Sequence, residues 1–306
     1  MKHLKFLNLF GALVIIWLTS ATFHAESSMS SDNYQIQWDS IGPGGSDTST
    51  SASYKVRDTF GTMQGVSSST TYRQDTGFRA GVYDPTVSFA VFSQNTSSQV
   101  AATALVGNTV TVTTTSGYAV GDYIVVIQDQ GAGQISAIGR VITVGGTTLT
   151  VDELKDGGTA PTIDGSSDLV YRLTGSSLPF GTFSTSVVTT GIVGWDAAAD
   201  VPDGYSIFVF EDQNLMSGAN TIPDVSDGTV SAGTNEYGGR SSDTTLSSSL
   251  FDTQDVAITS TPAEIASRTD NSLKSRDFLT LKVGINSSQQ NGSYSQTLTF
   301  VFVGNY

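Results

Sequence analysis

From Leu279 to Ile285 apolar and polar residues alternate without a break: Leu279, Leu281, Val283 and Ile285 against Thr280, Lys282 and Gly284. A period of two puts one set on each face of a strand, so this segment predicts one buried face and one wet face, with Lys282 on the exposed side. The other strong apolar segments alternate in the same way or are short continuous runs such as Ile124-Val125-Val126-Ile127, suited to a strand covered on both faces. The residues in excess are Ser, Thr, Val and 32 Gly, in place of Leu, Ala, Glu and Lys. Such a chain is all-β; a coiled coil and a helical repeat are excluded, and the absence of Cys excludes a disulfide scaffold.

The first segment reads as an address. Lys2 and Lys5 precede the apolar run Leu9 to Leu18, too short to span a bilayer, and small residues follow. This is the pattern of a secretory signal peptide over residues 1–25, with cleavage after Ala25 or Ala21. The expected location is secreted, extracellular or at the cell surface, with no membrane span in the mature chain. With cleavage after Ala25 both histidines, His3 and His24, leave with the segment. A Ser-His-Asp triad, a Cys nucleophile and an ordinary zinc site are then impossible. A net charge of -14 is too acidic for a nucleic-acid surface.

Three blocks follow. Residues 26–85 hold a degenerate repeat marked by Tyr34, Tyr54 and Tyr72, read as three short strands joined by Ser/Thr/Gly loops. The tyrosines either seal a sheet face or form a ligand-stacking row. Residues 86–175 carry five or six short strands, among them a hairpin at Val141–Val144 and Thr147–Val151 around Gly145-Gly146, and predict a small β-barrel or sandwich. Residues 176–306 offer strands at 185–193, 206–210, 278–285 and 294–303. Thr261-Pro262-Ala263-Glu264 has the form of a capping box and predicts a short helix over 262–268. The last strand is apolar on both faces in its upper half, which predicts a central or well-covered position.

Three stretches resemble secreted β-sandwich surface proteins of environmental bacteria that carry an N-terminal Tyr-repeat segment. They are Asp32-Asn33-Tyr34-Gln35-Ile36 with Ser53-Tyr54-Lys55-Val56-Arg57-Asp58-Thr59 and Gly77-Phe78; Pro202-Asp203-Gly204-Tyr205-Ser206-Ile207-Phe208-Val209 with Glu236-Tyr237-Gly238; and Asn291 to Phe300. The resemblance implies an antiparallel Ig-like sandwich at the C-terminus and an exported surface protein. It carries over no catalytic residues. It leaves residues 93–173 outside, as an insertion into the sandwich would lie, with 86–92 supplying a first strand to the C-terminal module.

Paired carboxylates are the catalytic kit that remains: Asp152 with Glu153, Glu211 with Asp212, Asp252 with Asp255. A glycosidase needs two carboxyls facing each other across a sugar, and adjacency in sequence does not give that, since neighbours on a strand point to opposite faces. Asp196, Asp200 and Asp203 before Gly204, and Asp224 and Asp227 before Gly228, place hard oxygen donors on Gly turns and are the calcium candidates, although Asp-Gly is also ordinary turn chemistry. The sequons at Asn95, Asn286 and Asn291 mark exposed turns. The expectation is a structural or adhesive protein, not an enzyme, whose partners are envelope or matrix glycans or copies of itself. A carbohydrate-binding module contacting ligand through Trp38, Trp195, Tyr34, Tyr54 or Tyr72 is the alternative, and a carboxylate-based glycoside hydrolase the second.

Overall fold

The computed structural model describes residues 87–305 and, before them, six strand segments, and every regular element in it is a strand. The chain divides after Val82 into two compact units. In the first, β1 (Met29–Ser31) pairs with β2 (Tyr34–Ile36), and β3 (Gly45–Thr50), β4 (Lys55–Thr59), β5 (Gly65–Ser68) and β6 (Arg73–Thr76) form a four-stranded antiparallel meander. Six strands stand where the Tyr repeat predicts three. Tyr34 opens β2, while the signal segment, Trp38, Tyr54 and Tyr72 lie outside the described residues.

The second unit opens with β7 (Val87–Val106), whose 20 residues serve two bodies. Its later part joins β8 (Thr109–Val112), β9 (Tyr123–Gln128), β10 (Ile135–Val144), β11 (Thr148–Val151) and β13 (Leu169–Leu173) in the order β7-β8-β11-β10-β9-β13. Pairing of β13 back onto β7 closes a six-stranded barrel, and the short β12 (Lys155–Asp156) adds to β10. The barrel is filled by Val110, Val112, Ile124, Val126, Val141, Leu149, Val151 and Val170. The hairpin turns at Gly145-Gly146 as its sequence predicts. Val125 and Ile127, alternate to the inward residues of β9, point outward and are equally buried.

The first residues of β7, Val87–Ser93, pair with β14 (Thr189–Ala199), which pairs with β20 (Ser272–Gly284), and β20 with β18 (Glu236–Ser241). A second, three-stranded sheet runs β19 (Ala263–Arg268), β15 (Tyr205–Glu211), β21 (Leu298–Gly304). β16 (Met216–Ser217) and β17 (Asn220–Thr221) form a short hairpin whose Met216 bridges Ser295, ahead of β21. The inward residues of the two sheets, among them Trp195, Tyr205, Ile207, Tyr237, Ile265, Leu279 and Leu281, share one core with Phe300 and Phe302. On the other face of β14 and β20, Ile192 and Phe278 pack against Val125, Ile127, Ile138, Tyr171 and Leu173 of the barrel. Three layers result, with β14 and β20 in the middle.

Position in the middle layer overturns the reading of β20 as half wet. The barrel covers its second face, so Thr280 is buried and Lys282 is only 9% exposed. The helix over 262–268 is also corrected: Ala263–Arg268 is a strand pairing with β15. Ile265 and Ala266 are wanted in the core, Pro262 stands just ahead of the ladder where it forfeits no hydrogen bond, and the Glu264 carboxylate accepts from the Ser248 hydroxyl. The closing strand differs as well. Among the described residues β21 pairs with β15 alone, so it is an edge. Phe300 and Phe302 reach the core, but Thr299, Val301 and Val303 face outward and are exposed. The sequon residue Asn95 lies within β7 opposite Arg172, not on a turn.

Candidate functional site

Three features stand out in the second unit: a charged joint, a polar cavity, and an aromatic cleft. The joint is built on the face of β20 that meets the barrel. Arg276 donates through both terminal nitrogens to Asp152, at 2.6 and 2.7 Å, and through Nε to Asp196 at 3.0 Å. Its guanidinium also lies 5.4 Å from the centre of the Tyr123 ring, whose hydroxyl donates to Asp196. Lys274 adds a further bond to Asp152. Burial alone would raise the Asp152 carboxyl, but the bonds from Arg276 and Lys274 outweigh it and hold the group well below its usual range. Alongside, Asp277 on the opposite face bonds Arg268 of β19 at 2.5 Å and lies 3.4 Å from Lys155 of β12. The Arg276–Asp152 pair is a planar, bidentate contact between layers, and the lysine and Arg268 contacts around it add single charged bonds that hold the layers in position.

The cavity, about 250 Å³, lies between the barrel residues Gln134 and Ser136 and the sheet residues Arg240, Ser242, Thr280 and Lys282. Its strongest groups are already engaged. Lys282 Nζ sits 2.8 Å from Asp255 Oδ1 and donates to the Ala132 carbonyl at 3.1 Å, and Thr190 donates to Gln134 at 2.5 Å. Lys282 therefore balances a buried carboxylate where alternation predicts a free surface lysine.

The cleft, about 470 Å³, is of another kind. Phe180 and Phe183, 6.1 Å apart, line it with Tyr294 and the amides of Gln289, Gln290 and Asn291. Gln289 donates to the Tyr294 hydroxyl at 2.5 Å, and that hydroxyl donates to the Gln290 carbonyl at 2.7 Å. Ring faces beside amide donors and acceptors are what a polyhydroxylated ring needs: apolar area for its C–H face, hydrogen bonds for its rim. The sequence carries a signal for it, since Leu178-Pro179-Phe180-Gly181-Thr182-Phe183 places aromatics outside any alternating strand.

The residues singled out from sequence are scattered. Trp195 is 1% exposed, in the core beside Phe300, and offers no platform to a ligand. Asp196 belongs to the joint. Asp200 is buried and accepts from the Asn271 amide. Asp203 precedes Gly204, whose φ of +71° makes the turn into β15. Asp227 accepts from the Thr229 N–H at 3.0 Å, again as a turn residue. Among the described residues no group of three or more His, Cys, Asp or Glu is arranged to hold a metal. The adjacent acid pairs separate as strand geometry requires: Glu211 is buried and Asp212 exposed, while Asp255 is buried against Lys282. Glu211 instead shares its space with Asp224. Burial, then repulsion from Asp224 and Asp212, pushes Glu211 up to about 7, and burial pushes Asp224 up to about 6. No helix among the described residues is long and apolar enough to cross a membrane. Comparison with known proteins found no matching family model, no matching curated protein and no matching solved structure.

Proposed function

We propose that this chain is an exported structural or adhesive protein of the bacterial cell surface, working through contacts of its sheets with neighbouring copies or with glycans. In this reading the two sheets around Trp195 are an antiparallel Ig-like sandwich, and residues 1–25 are removed on export. The observation that carries it is the edge of β21. Its seven residues, Leu-Thr-Phe-Val-Phe-Val-Gly, hold no charge and no Pro, and Val301 and Val303 are 38% and 42% exposed. Proteins that stay apart blunt such an edge with Lys, Pro or a bulge; an open, uncharged one is a template for another strand. Light scattering on the purified mature protein tests this. The expected result is concentration-dependent association that V301K abolishes while the melting temperature is unchanged. A monomer at every concentration would overturn self-pairing.

The Phe180–Phe183–Tyr294 cleft favours a second reading, a carbohydrate-binding module. Calorimetric titration with envelope and matrix oligosaccharides is its test, with binding expected to disappear in F180A and Y294A.

A further inference from the structure

Three buried oxygens close to Tyr237 have no hydrogen-bond partner. Glu211 is the last inward residue of β15, opposite Leu298 of β21. Gln296 stands two residues before Leu298 and so points to the same inner side. Its Nε2 donates to the hydroxyl of Tyr237, a fully buried residue of the facing sheet, at 2.5 Å. Asp224 is drawn to the same place by a parallel bridge to Tyr237: the Tyr237 N–H bonds the Pro223 carbonyl at 2.9 Å, and the Val225 N–H bonds the Tyr237 carbonyl at 2.7 Å. Glu211 Oε2, Asp224 Oδ1 and Gln296 Oε1 are all shielded from solvent, and none has a hydrogen-bond partner. Glu211 as a whole is 4% exposed.

Buried acceptors are almost always paired, because an unmet carboxylate in a low dielectric costs several kcal/mol. Here the unmet atoms are of one kind, two carboxylate oxygens and one amide oxygen, anchored on three different segments. A single water could satisfy two of them but would leave both charges unbalanced. A hard cation satisfies all three, offsets the burial that raises Glu211 and Asp224, and cancels the repulsion that Asp224 adds at Glu211. The tyrosine hydroxyl bonded to Gln296 places a fluorophore beside the same point.

We propose that Glu211, Asp224 and Gln296 bind a divalent oxygen-loving cation, calcium in the first instance, and that this ion clamps the end of β15 to the 223–225 segment and the start of β21. The set differs from the turn aspartates singled out by sequence, of which it keeps only Asp224. It does not depend on assembly or on glycan binding. With three protein oxygens and water completing the shell, affinity falls in the range of about 10⁻⁴–10⁻³ M, as for extracellular modules.

The test uses the full mature chain, freed of metal with a chelator and titrated at neutral pH with CaCl2 to about 10 mM. The melting temperature is expected to rise by about 3–5 °C. Terbium in place of calcium should give Tyr-sensitised luminescence, about tenfold weaker in E211Q and in D224N and displaced by excess calcium. Both substitutions are isosteric and remove a buried charge, so each variant should fold with an unchanged circular dichroism spectrum. Should one fail, the other carries the comparison. No calcium-dependent shift in melting, or terbium emission of equal strength in the wild type and both variants, would overturn the proposal and leave the pair as carboxylic acids sharing protons.

Discussion

Two acidic residues behave oppositely because their neighbours do. Glu211 has buried oxygens, a like charge nearby and no cation among the described residues, and its carboxyl rises from 4.5 to about 7. A folded-state value above the unfolded one means that the native protein holds the proton longer. Stability is therefore full below about pH 4.5 and is lost as pH climbs towards 7. In chelator, the melting temperature should fall across that window in the wild type and fall less in E211Q, which carries no proton to lose. A parallel fall in both would show that another group is responsible. Asp152 runs the other way. Its value lies below the ordinary 3.8, so its contribution is present above that pH and is lost as the solution is acidified further. D152N leaves Arg276, with 6% of its side chain exposed, without its bidentate partner. That should cost about 3 kcal/mol in urea titrations at pH 7 and less near pH 2.

Local patterns fixed some elements and not others. The 141–151 hairpin and the run Ile124–Ile127 are set by residues within a few positions of one another, and both are visible in sequence. The second face of β20 is not. Thr280 and Lys282 read as wet because what covers them comes from more than a hundred residues earlier. β19 obeys register against β15 in preference to its own capping residues, because burying Ile265 outweighs one turn of helix. The candidate sites divide the same way. Separation of Glu211 from Asp212 follows from strand alternation, whereas its meeting with Asp224 and Gln296 depends on how two sheets face each other. At the turn into β15 the sequence is explicit: Asp203-Gly204 requires a positive φ, and a Cβ on Gly204 would come 2.0 Å from the Arg268 carbonyl oxygen. G204A should therefore destabilise by about 3 kcal/mol, measured by denaturant titration, well beyond the cost of an ordinary Gly-to-Ala change. A loss under about 0.5 kcal/mol would mean that the 268–270 loop yields freely.

In the second unit as a whole, β7, β14 and β20 belong to more than one body, and the core that joins barrel to sheet, with Ile192 and Phe278 against Val125, Ile138 and Leu173, is as buried as either core beside it. Fluorescence and circular dichroism should report one coincident melting transition for residues 83–306. R276A, which cuts the joint to both Asp152 and Asp196, should lower that transition or split it in two, whereas two separate steps in the wild type would mean that the bodies are coupled only by the chain. The chain enters and leaves the barrel at one point. Ser93 and Thr174 are bonded backbone to backbone at 2.8 Å, and Gly175 returns a carbonyl to the Ser93 N–H at 3.2 Å. Tension pulled along such a chain does not thread through the barrel. It crosses from β7 to β14 at the Val87–Ala199 end of their seven paired positions, so the barrel is shunted out of the line of force and stays folded until those pairs, and after them the Ser93–Thr174 clasp, give way.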